Sequence, residues 1–201
     1  MTSETTETTP AARRLYVSMV VSLDGYIESS RRELDWFQDG DAQFELYTDE
    51  MVDSVGLALF GRRSYELMAA YWPEAEKSPR SPRDLEFARK MNVLPKIVLS
   101  RTLRHATWNN SRVLGERVGE TLAELKRQPG KPIVAWAGAG LVATLTDLDL
   151  VDEYRLIVHP VVLGRGTPLF PQVDQRRKLR LTRTTQLGHD LVVLCYQPAR
   201  T

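Results

Sequence analysis

The alternation of short apolar, β-prone runs with amphipathic stretches limits this chain to few architectures. Runs of that kind occupy residues 15–21, 55–60, 96–100 and 132–137. Between them, apolar side chains recur every three or four positions, which is typical of helices that bury one face. Strands separated by helices form β-α-β units, and such units favour a mostly parallel central sheet flanked by helices.

The last strong strand candidates break this alternation. Residues 154–163 and 191–197 are apolar and β-prone, with a weaker candidate at 179–184, and no helical pattern lies between them. We therefore expect an antiparallel C-terminal edge on an otherwise α/β domain. The run at 154–163 is long and apolar, so we place it near an edge that needs covering and expect a homodimer.

Spacing and capping signals place the predicted helices. The pattern predicts helices over residues 44–52, 116–128 and about 140–146. A further helix is expected to be capped by Ser64 and to stop before the Trp72-Pro73 pair, because proline interrupts helical hydrogen bonding. The Ser- and Pro-containing stretch that follows, at 77–84, is interpreted as an exposed loop.

Composition fits one globular domain. The 201 residues include 27 Lys and Arg and 26 Asp and Glu, which gives a net charge of +1. This balance argues against nucleic-acid binding, which usually requires a basic surplus. We expect the domain to span residues 13–201. Residues 1–12 are rich in Thr, Ser and Glu and are expected to form a disordered tail.

Several other classes of protein are excluded by what the sequence contains. Cys195 is the single cysteine, so an internal disulfide or a cysteine-based zinc site is impossible. Its apolar neighbours predict a buried, inert thiol. The three histidines lack metal-ligand spacing, so we expect no metal, and His159 is interpreted as structural. No apolar run approaches the ~18 residues of a membrane span, and no signal pattern opens the chain, so a cytoplasmic location without membrane contact is expected.

Two loops at predicted strand ends carry cationic groups suited to phosphate. Gly61 permits a turn, and Arg62 and Arg63 follow it where a helix begins and its free N–H groups attract anions. The alternative is an ordinary capped helix with two exposed arginines. Ser100 and Arg101 close the third strand, where they could hold a ribose phosphate or simply be strand-end polarity.

Two further loops are less specific. Gly138 and Gly140 follow the fourth strand and open a helix, so the backbone there can approach a pyrophosphate. They are not the six-residue dinucleotide fingerprint, whose third glycine would fall at Ala143. The Asp24-Gly25 pair after the first strand is a turn signal, and alone it indicates nothing more.

Motif order and spacing are more informative than any one loop. The informative segments are LYVSMVVSLDGYI at 15–27, LFGRRSYE at 59–66, KIVLSR at 96–101, and, between 132 and 170, a glycine loop followed by LVDEY, HPVVLGRG and LF. Over about residues 13–197 this pattern resembles the dihydrofolate reductase-like family. It is similar in particular to the reductase domain of bacterial riboflavin-biosynthesis proteins.

The resemblance implies an NADPH-dependent oxidoreductase with a mostly parallel sheet. Ser100 and Arg101 would hold the adenosine 2′-phosphate, which favours NADPH over NADH. Asp24 would border the nicotinamide. By position, the implied cofactor-binding residues are Ser22, Leu23, Gly61, Arg62, Arg63, Ser64, Ser100, Arg101, Gly138, Ala139, Gly140 and Leu141.

The substrate end is implied by a second similarity. Folate reductases carry a carboxylate five residues after a tryptophan, and Trp36 and Asp41 keep that offset. A buried carboxylate can pair with a protonatable ring, so Asp41 and Asp24 are the predicted catalytic residues. Trp36 and Phe44 would wall the substrate site, or would serve ordinary core packing.

The expected function is therefore hydride transfer from NADPH to a pterin-, flavin- or pyrimidine-like small molecule. The alternative is a non-catalytic nucleotide- or ligand-binding protein on the same fold. Residues 61–73 differ from the acidic, proline-ended motif of riboflavin-type reductases, and no zinc deaminase signature is present, so the substrate stays open.

Overall fold

The computed structural model describes residues 12–36, 42–171 and 175–199. Within them the chain forms ten strands and five helices. The strands are β1 (Leu15–Ser22), β2 (Tyr26–Ser29), β3 (Leu57–Gly61), β4 (Lys96–Leu99), β5 (Ser111–Leu114), β6 (Ile133–Ala135), β7 (Glu153–His159), β8 (Gly166–Pro168), β9 (Leu179–Leu187) and β10 (Leu191–Pro198). The helices are α1 (Ala42–Ser54), α2 (Arg62–Lys77), α3 (Pro82–Val93), α4 (Val118–Arg127) and α5 (Ala139–Asp147).

Eight strands form the central sheet in the order β5-β4-β3-β6-β1-β7-β10-β9. The pairs from β5 through β7 are parallel, whereas β10 is antiparallel to both β7 and β9. This confirms the predicted α/β class and its antiparallel C-terminal edge. Strands β2 and β8 form a separate antiparallel pair that we call the β2–β8 ribbon.

Both faces of the sheet are buried at β1, β3 and β6, which explains the continuous apolar runs in the sequence. Within β1, Leu15 and Val17 belong to a core cluster that includes Val142 of α5. Tyr16 belongs instead to a cluster with Phe60 and Trp108, to which α1, α2 and α3 contribute. Alternate side chains of one strand therefore serve the two layers of helices.

Helix α2 corrects two predictions. It begins at Arg62 with Gly61 as its N-cap, so Ser64 is its third residue and not its cap. It also continues through Pro73 to Lys77. The tertiary packing of Trp72, whose ring lies 5.0 Å from that of Phe87, outweighs the hydrogen bond that Pro73 cannot donate.

The predicted loop at 77–84 runs into a helix that was not predicted from the sequence. Helix α3 begins at Pro82, and the hydroxyl of Ser81 caps it by accepting a hydrogen bond from the backbone N–H of Asp84 at 3.1 Å. A serine before a proline, with an acidic residue two positions after the proline, is a helix start signal. The Ser- and Pro-rich composition of the same stretch is typical of a loop, and it led to the wrong prediction. Strands β2, β5 and β8 were also missed, because runs of three or four residues carry little periodicity.

The position assigned to the late strand is wrong. Strand β7 ends at His159 and lies between β1 and β10, inside the sheet. The C-terminal edge is β9, most of whose side chains are exposed. The basis on which a dimer was expected therefore fails for residues 154–163.

Three further predictions concern membrane spans, the single cysteine and the N-terminal tail. No helix in the described ranges is long and apolar enough to cross a membrane. Cys195 is buried in β10, as predicted. Residues 1–11 lie outside the described residues, so the tail expected at 1–12 stays a prediction.

Candidate active site

The parallel strands end at one edge of the sheet and bring the predicted loops together. Strand β1 ends at Ser22, β3 at Gly61, β4 at Leu99 and β6 at Ala135. These four strands run in the same direction, so their carboxyl ends lie side by side. Ligands of open α/β sheets bind at this edge.

Two helix N-termini meet there. Gly61 is the N-cap of α2 and Gly138 the N-cap of α5, and neither helix start receives a hydrogen bond from a capping side chain. The helix starts are adjacent, because a Cβ placed on Gly138 would lie 3.6 Å from the Ser64 hydroxyl oxygen. A Cβ on Gly61 would lie 3.7 Å from that of Leu141. Their free N–H groups and partial positive charges form one region that favours an anion.

The cradle predicted after β6 is open. Gly140 is exposed on the first turn of α5, and a Cβ placed on it would meet nothing within 4 Å. The surrounding backbone therefore leaves room for a ligand group to approach the helix start closely. Ala139 and Leu141 are largely buried, and they fix the helix against the sheet.

The cations of the site differ in what they already bind. Arg62 donates from Nε to Glu66 at 2.7 Å and from Nη1 to the Thr102 hydroxyl at 3.0 Å. Arg63 forms an ion pair with Glu28 of the β2–β8 ribbon, with an Nη2–Oε2 distance of 3.0 Å. Arg62 and Arg63 are both about half exposed.

Arg101 is the cation without such a partner. It is exposed and makes no hydrogen bond or ion pair with another residue in the described part of the chain. The neighbouring Ser100 hydroxyl accepts hydrogen bonds from the backbone N–H groups of Thr102 and Leu103, at 3.2 and 3.0 Å. Ser100 therefore shapes the turn that presents Arg101 at the end of β4.

Asp24 has a structural task at the end of β1. Its carboxylate accepts hydrogen bonds from the Ser22 hydroxyl at 2.7 Å and from the backbone N–H groups of Leu163 and Gly164, at 3.1 and 2.7 Å. The Ser22 hydroxyl bond, followed by these backbone donors, holds the pKa of Asp24 below its usual value. Leu23 is 67% exposed beside it. Asp24 thus fixes the loop after β7, and the exposed apolar side chain of Leu23 lies at the site.

An aromatic wall lies at the ends of β1 and β7. His159 is fully buried, and its ring centroid lies 5.7 Å from that of Trp36 and 6.0 Å from that of Phe44, both edge to face. His159 pairs in register with Ser22. The two predicted substrate-site aromatics, Trp36 and Phe44, therefore both contact His159, for which the sequence predicts only a structural role.

The side chains of this aromatic wall carry no charge. Burial lowers the pKa of His159, so the imidazole is neutral at physiological pH. The indole N–H of Trp36 is buried and has no hydrogen-bond acceptor among the described residues. The position of His159 at the end of an apolar strand, just before Pro160, is the signal in the sequence that could have indicated it. Asp41 lies outside the described residues, and its placement stays a prediction.

A separate cleft of about 610 Å³ lies away from this edge, at the amino end of β4. Asn92, Glu76 and Trp108 line it and bond to one another, with Asn92 Nδ2 to Glu76 at 2.5 Å and Trp108 Nε1 to Asn92 at 2.6 Å. Its polar groups are already paired, so we do not assign it a ligand. Within the described ranges, no group of three or more His, Cys, Asp or Glu side chains could hold a metal.

An anion-favouring strand edge with adjacent helix starts is typical of α/β domains that bind nucleotides. The chain belongs to the family of the RibD C-terminal domain, whose family model matches residues 13–193. This confirms the suspected family. A relative with 35% identity over 185 residues is the uncharacterized protein YyaP of Bacillus subtilis strain 168, and that match covers 92% of this chain and 94% of YyaP.

Solved structures show the same fold at low identity. A Shewanella sp. PV-4 protein, provisionally assigned to riboflavin biosynthesis, matches with a TM-score of 0.71 and 20% identity over 93% of this chain and 99% of that one. The Thermotoga maritima diaminohydroxyphosphoribosylaminopyrimidine deaminase/5-amino-6-(5-phosphoribosylamino)uracil reductase matches with 0.64 and 14%, over 94% of this chain and 57% of that one. Dihydrofolate reductase from Enterococcus faecalis, complexed with NADP(H), matches with 0.60 and 14%, over 95% and 99%. The dihydrofolate reductase-like fold is therefore confirmed.

Proposed function

We propose that this chain is an NADPH-dependent reductase that transfers hydride to a small pterin-, flavin- or pyrimidine-like compound. One observation carries the proposal: two helix starts without side-chain caps and the unpaired Arg101 converge on the carboxyl edge of the sheet. Together they suit a ligand with several phosphate groups. Bound NADPH would supply the hydride, and the protein supplies position and electrostatics.

The residues present fit the phosphates of such a cofactor. The starts of α2 and α5, with the open space at Gly140, suit a pyrophosphate. Ser100 and Arg101 suit a phosphate on the adenosine ribose, because Arg101 has free donors and Ser100 holds its turn. This arrangement supports NADPH over NADH, and the NADP(H) complex of the structurally similar Enterococcus faecalis enzyme agrees with it.

The aromatic wall supports a flat, uncharged ring as the substrate. Trp36 is partly exposed and offers an apolar ring to a ligand, whereas Phe44 and His159 are buried and pack behind it. The Thermotoga maritima protein is named as a reductase of a substituted uracil, and uracil is a heterocycle of this class.

The predicted catalytic carboxylates have different parts in this proposal. The three hydrogen bonds that Asp24 accepts favour a positioning role, in which Asp24 holds the Leu163–Gly164 backbone beside the nicotinamide site. Asp41 is proposed to pair with the substrate ring. Asp41→Asn should then lower turnover and leave NADPH affinity unchanged.

Assembly and location complete the proposal. We place a second copy of this chain on the face of the sheet that carries Leu179 and Leu181, which are 38% and 49% exposed on β9. Tyr196 of β10 pairs with Leu181 and extends this apolar surface. Pairing of two β9 edges is disfavoured, because it would bring Arg180 and Arg183 of one copy near those of the other. We propose that this dimer is cytoplasmic.

A non-catalytic binding protein is the second candidate, favoured by the fact that Asp24 is engaged in holding a loop. Hydride transfer separates the two. The protein would be mixed with NADPH and, in turn, an oxidised pterin, a flavin and an aminopyrimidine, and NADPH oxidation followed by absorbance. The proposal expects protein-dependent oxidation with at least one ring that is lost in Asp41→Asn. NADPH binding without oxidation by any of the three would favour the binding role.

A further inference from the structure

The ion pair between Arg63 and Glu28 joins two parts of the site. Both guanidinium Nη atoms of Arg63 contact the Glu28 carboxylate, Nη1 to Oε1 at 3.1 Å and Nη2 to Oε2 at 3.0 Å. Such a two-point pairing has defined geometry as well as charge attraction. The Glu28 side chain is only 13% exposed, whereas that of Arg63 is 56% exposed. The pair is therefore anchored on the ribbon side and accessible on the α2 side.

Glu28 is held in place by the β2–β8 ribbon. Its Oε1 also accepts a hydrogen bond from the Thr167 hydroxyl of β8 at 2.6 Å, and β2 pairs with β8 around it. Gly166 approaches the Glu28 carbonyl so closely that a Cβ there would overlap it. The carboxylate consequently cannot shift far while the ribbon is intact.

The ribbon continues into the loops of the nicotinamide side. Leu169, just after β8, donates a backbone hydrogen bond to the carbonyl of Gly25 at 2.9 Å. Asp24, immediately before Gly25, holds Leu163 and Gly164. The Arg63–Glu28 pair thus links the phosphate end of the proposed site to its nicotinamide end.

A phosphate at the start of α2 would compete with this carboxylate. Arg63 is the second residue of the helix, and an anion near the helix N–H groups would be close to both partners of the pair. Carboxylate and phosphate are both anions that pair with guanidinium in the same two-point manner. They also repel each other at short distance.

We infer that Glu28 sets the affinity of the site for a phosphorylated ligand, by competing with the ligand's phosphate for Arg63. Binding transfers Arg63 from Glu28 to the phosphate, and the ion pair that joins the β2–β8 ribbon to α2 is lost. This inference rests on the proposed function, since NADPH is the phosphorylated ligand assigned to the edge. Glu28 acts through Arg63 and is a positioning residue.

A double-mutant cycle tests the inference. NADPH would be titrated by calorimetry into the wild-type protein, Glu28→Gln, Arg63→Gln and the double variant. Glu28→Gln should tighten binding by about fivefold, the scale expected for one partly exposed ion pair. Arg63→Gln should weaken binding, and in its background Glu28→Gln should have no effect.

Glu33→Gln is the matched control. Glu33 follows β2 and pairs with Arg31 and Ser29, so its substitution removes the same charge without contact to Arg63. NADPH affinity should not change. Equal tightening in Glu33→Gln, or persistence of the Glu28→Gln effect without Arg63, would show general charge repulsion and overturn the inference. Weaker binding by Glu28→Gln would overturn it as well.

A measurement without ligand keeps the two proposals distinguishable. Amide hydrogen exchange in the ligand-free protein should accelerate at residues 26–28 in Glu28→Gln and stay unchanged there in Glu33→Gln. No change in Glu28→Gln would overturn the inference, whatever the ligand. NADPH binding by the wild type with no effect of Glu28→Gln contradicts the inference alone. Failure of every variant to bind NADPH contradicts the proposed function and the competition with it.

Discussion

Substitution of Gly140 should change protein stability and cofactor affinity in opposite directions. A methyl group at this position would enter open space and would not disturb the first turn of α5. Alanine in a helix is favoured over glycine, so Gly140→Ala should raise the unfolding free energy by about 0.5–1 kcal/mol. The same methyl group would occupy the space assigned to the pyrophosphate, and we expect NADPH affinity to fall at least about tenfold, or ~1.4 kcal/mol. Urea denaturation and calorimetric titration measure the two effects.

Gly119→Ala is the control for that prediction. Gly119 is the second residue of α4, as Gly140 is of α5, and its Cβ would make ordinary contact with Leu148 at 3.5 Å. It should gain stability without losing NADPH affinity. Unchanged NADPH affinity in Gly140→Ala would remove the pyrophosphate from the start of α5.

His159 predicts a pH dependence of stability. Burial lowers the pKa of His159 in the folded protein below the value of ~6.5 that it has when unfolded. Between the two values the unfolded chain binds a proton that the folded chain does not. The unfolding free energy should therefore rise with pH through this window. The contribution of His159 is complete above the unfolded value of ~6.5 and is lost as the pH falls from there through the lower pKa of the folded protein.

His159→Gln should flatten that part of the profile, measured as urea unfolding free energy between about pH 5.5 and 7.5, a window about one unit either side of the unfolded value. His189→Gln is the matched control, because His189 is exposed in the turn before β10. An identical pH slope in the wild type and His159→Gln would show that His159 titrates normally.

At the scale of elements, Asp24 joins the end of β1 to the loop after β7. An asparagine at this position keeps one carbonyl oxygen but replaces the other acceptor with an N–H₂ donor. Asp24→Asn should therefore lose either the Leu163 or the Gly164 hydrogen bond and accelerate amide exchange at that residue. A loss of turnover should accompany this loosening, because Asp24 is proposed to position the loop beside the nicotinamide site. Full exchange protection with lost turnover would instead indicate direct participation of the carboxylate in the reaction.

The elements predicted from sequence were those with long, regular patterns. Strands β1, β3, β4 and β10 and helix α4 fall where the apolar spacing placed them, because burial on fixed faces dictates that spacing. The continuation of α2 past Pro73 could not be predicted, because it depends on the packing of Trp72 against Phe87, far along the chain. Helix α3 was predictable from the Ser81–Asp84 cap, which was outweighed by loop-like composition.

The candidate site could likewise be predicted from the sequence only in part. Local rules placed Gly61, Arg101 and Gly138 at strand ends, and the parallel sheet brings those ends together. The contacts of side chains were beyond such rules. Nothing local indicates that Arg63 would meet Glu28, 35 residues away, or that Asp24 would hold a loop 140 residues later. These contacts follow from sheet order, which the sequence pattern restricts but does not determine.

At the scale of the whole molecule, the proposed dimer predicts a change of mass. A lysine at Leu181 would place a charge within the apolar surface of β9 and β10, which is costly to bury without a partner. Leu181→Lys should convert a dimer into a monomer in light scattering at micromolar concentration. Leu46→Lys is the control, because Leu46 is 62% exposed on α1 and lies outside that surface. A monomeric wild-type protein would contradict the dimer outright.

The most direct test of the account is calorimetric titration of the wild-type protein and Arg101→Ala with NADPH and with NADH. We predict that the wild type binds NADPH more tightly than NADH. The loss of one charge-assisted contact in Arg101→Ala should weaken NADPH binding by about tenfold or more and leave NADH binding nearly unchanged. Equal losses for both cofactors would contradict the assignment of the 2′-phosphate to Arg101. Binding of neither cofactor by the wild type would contradict the reductase assignment itself.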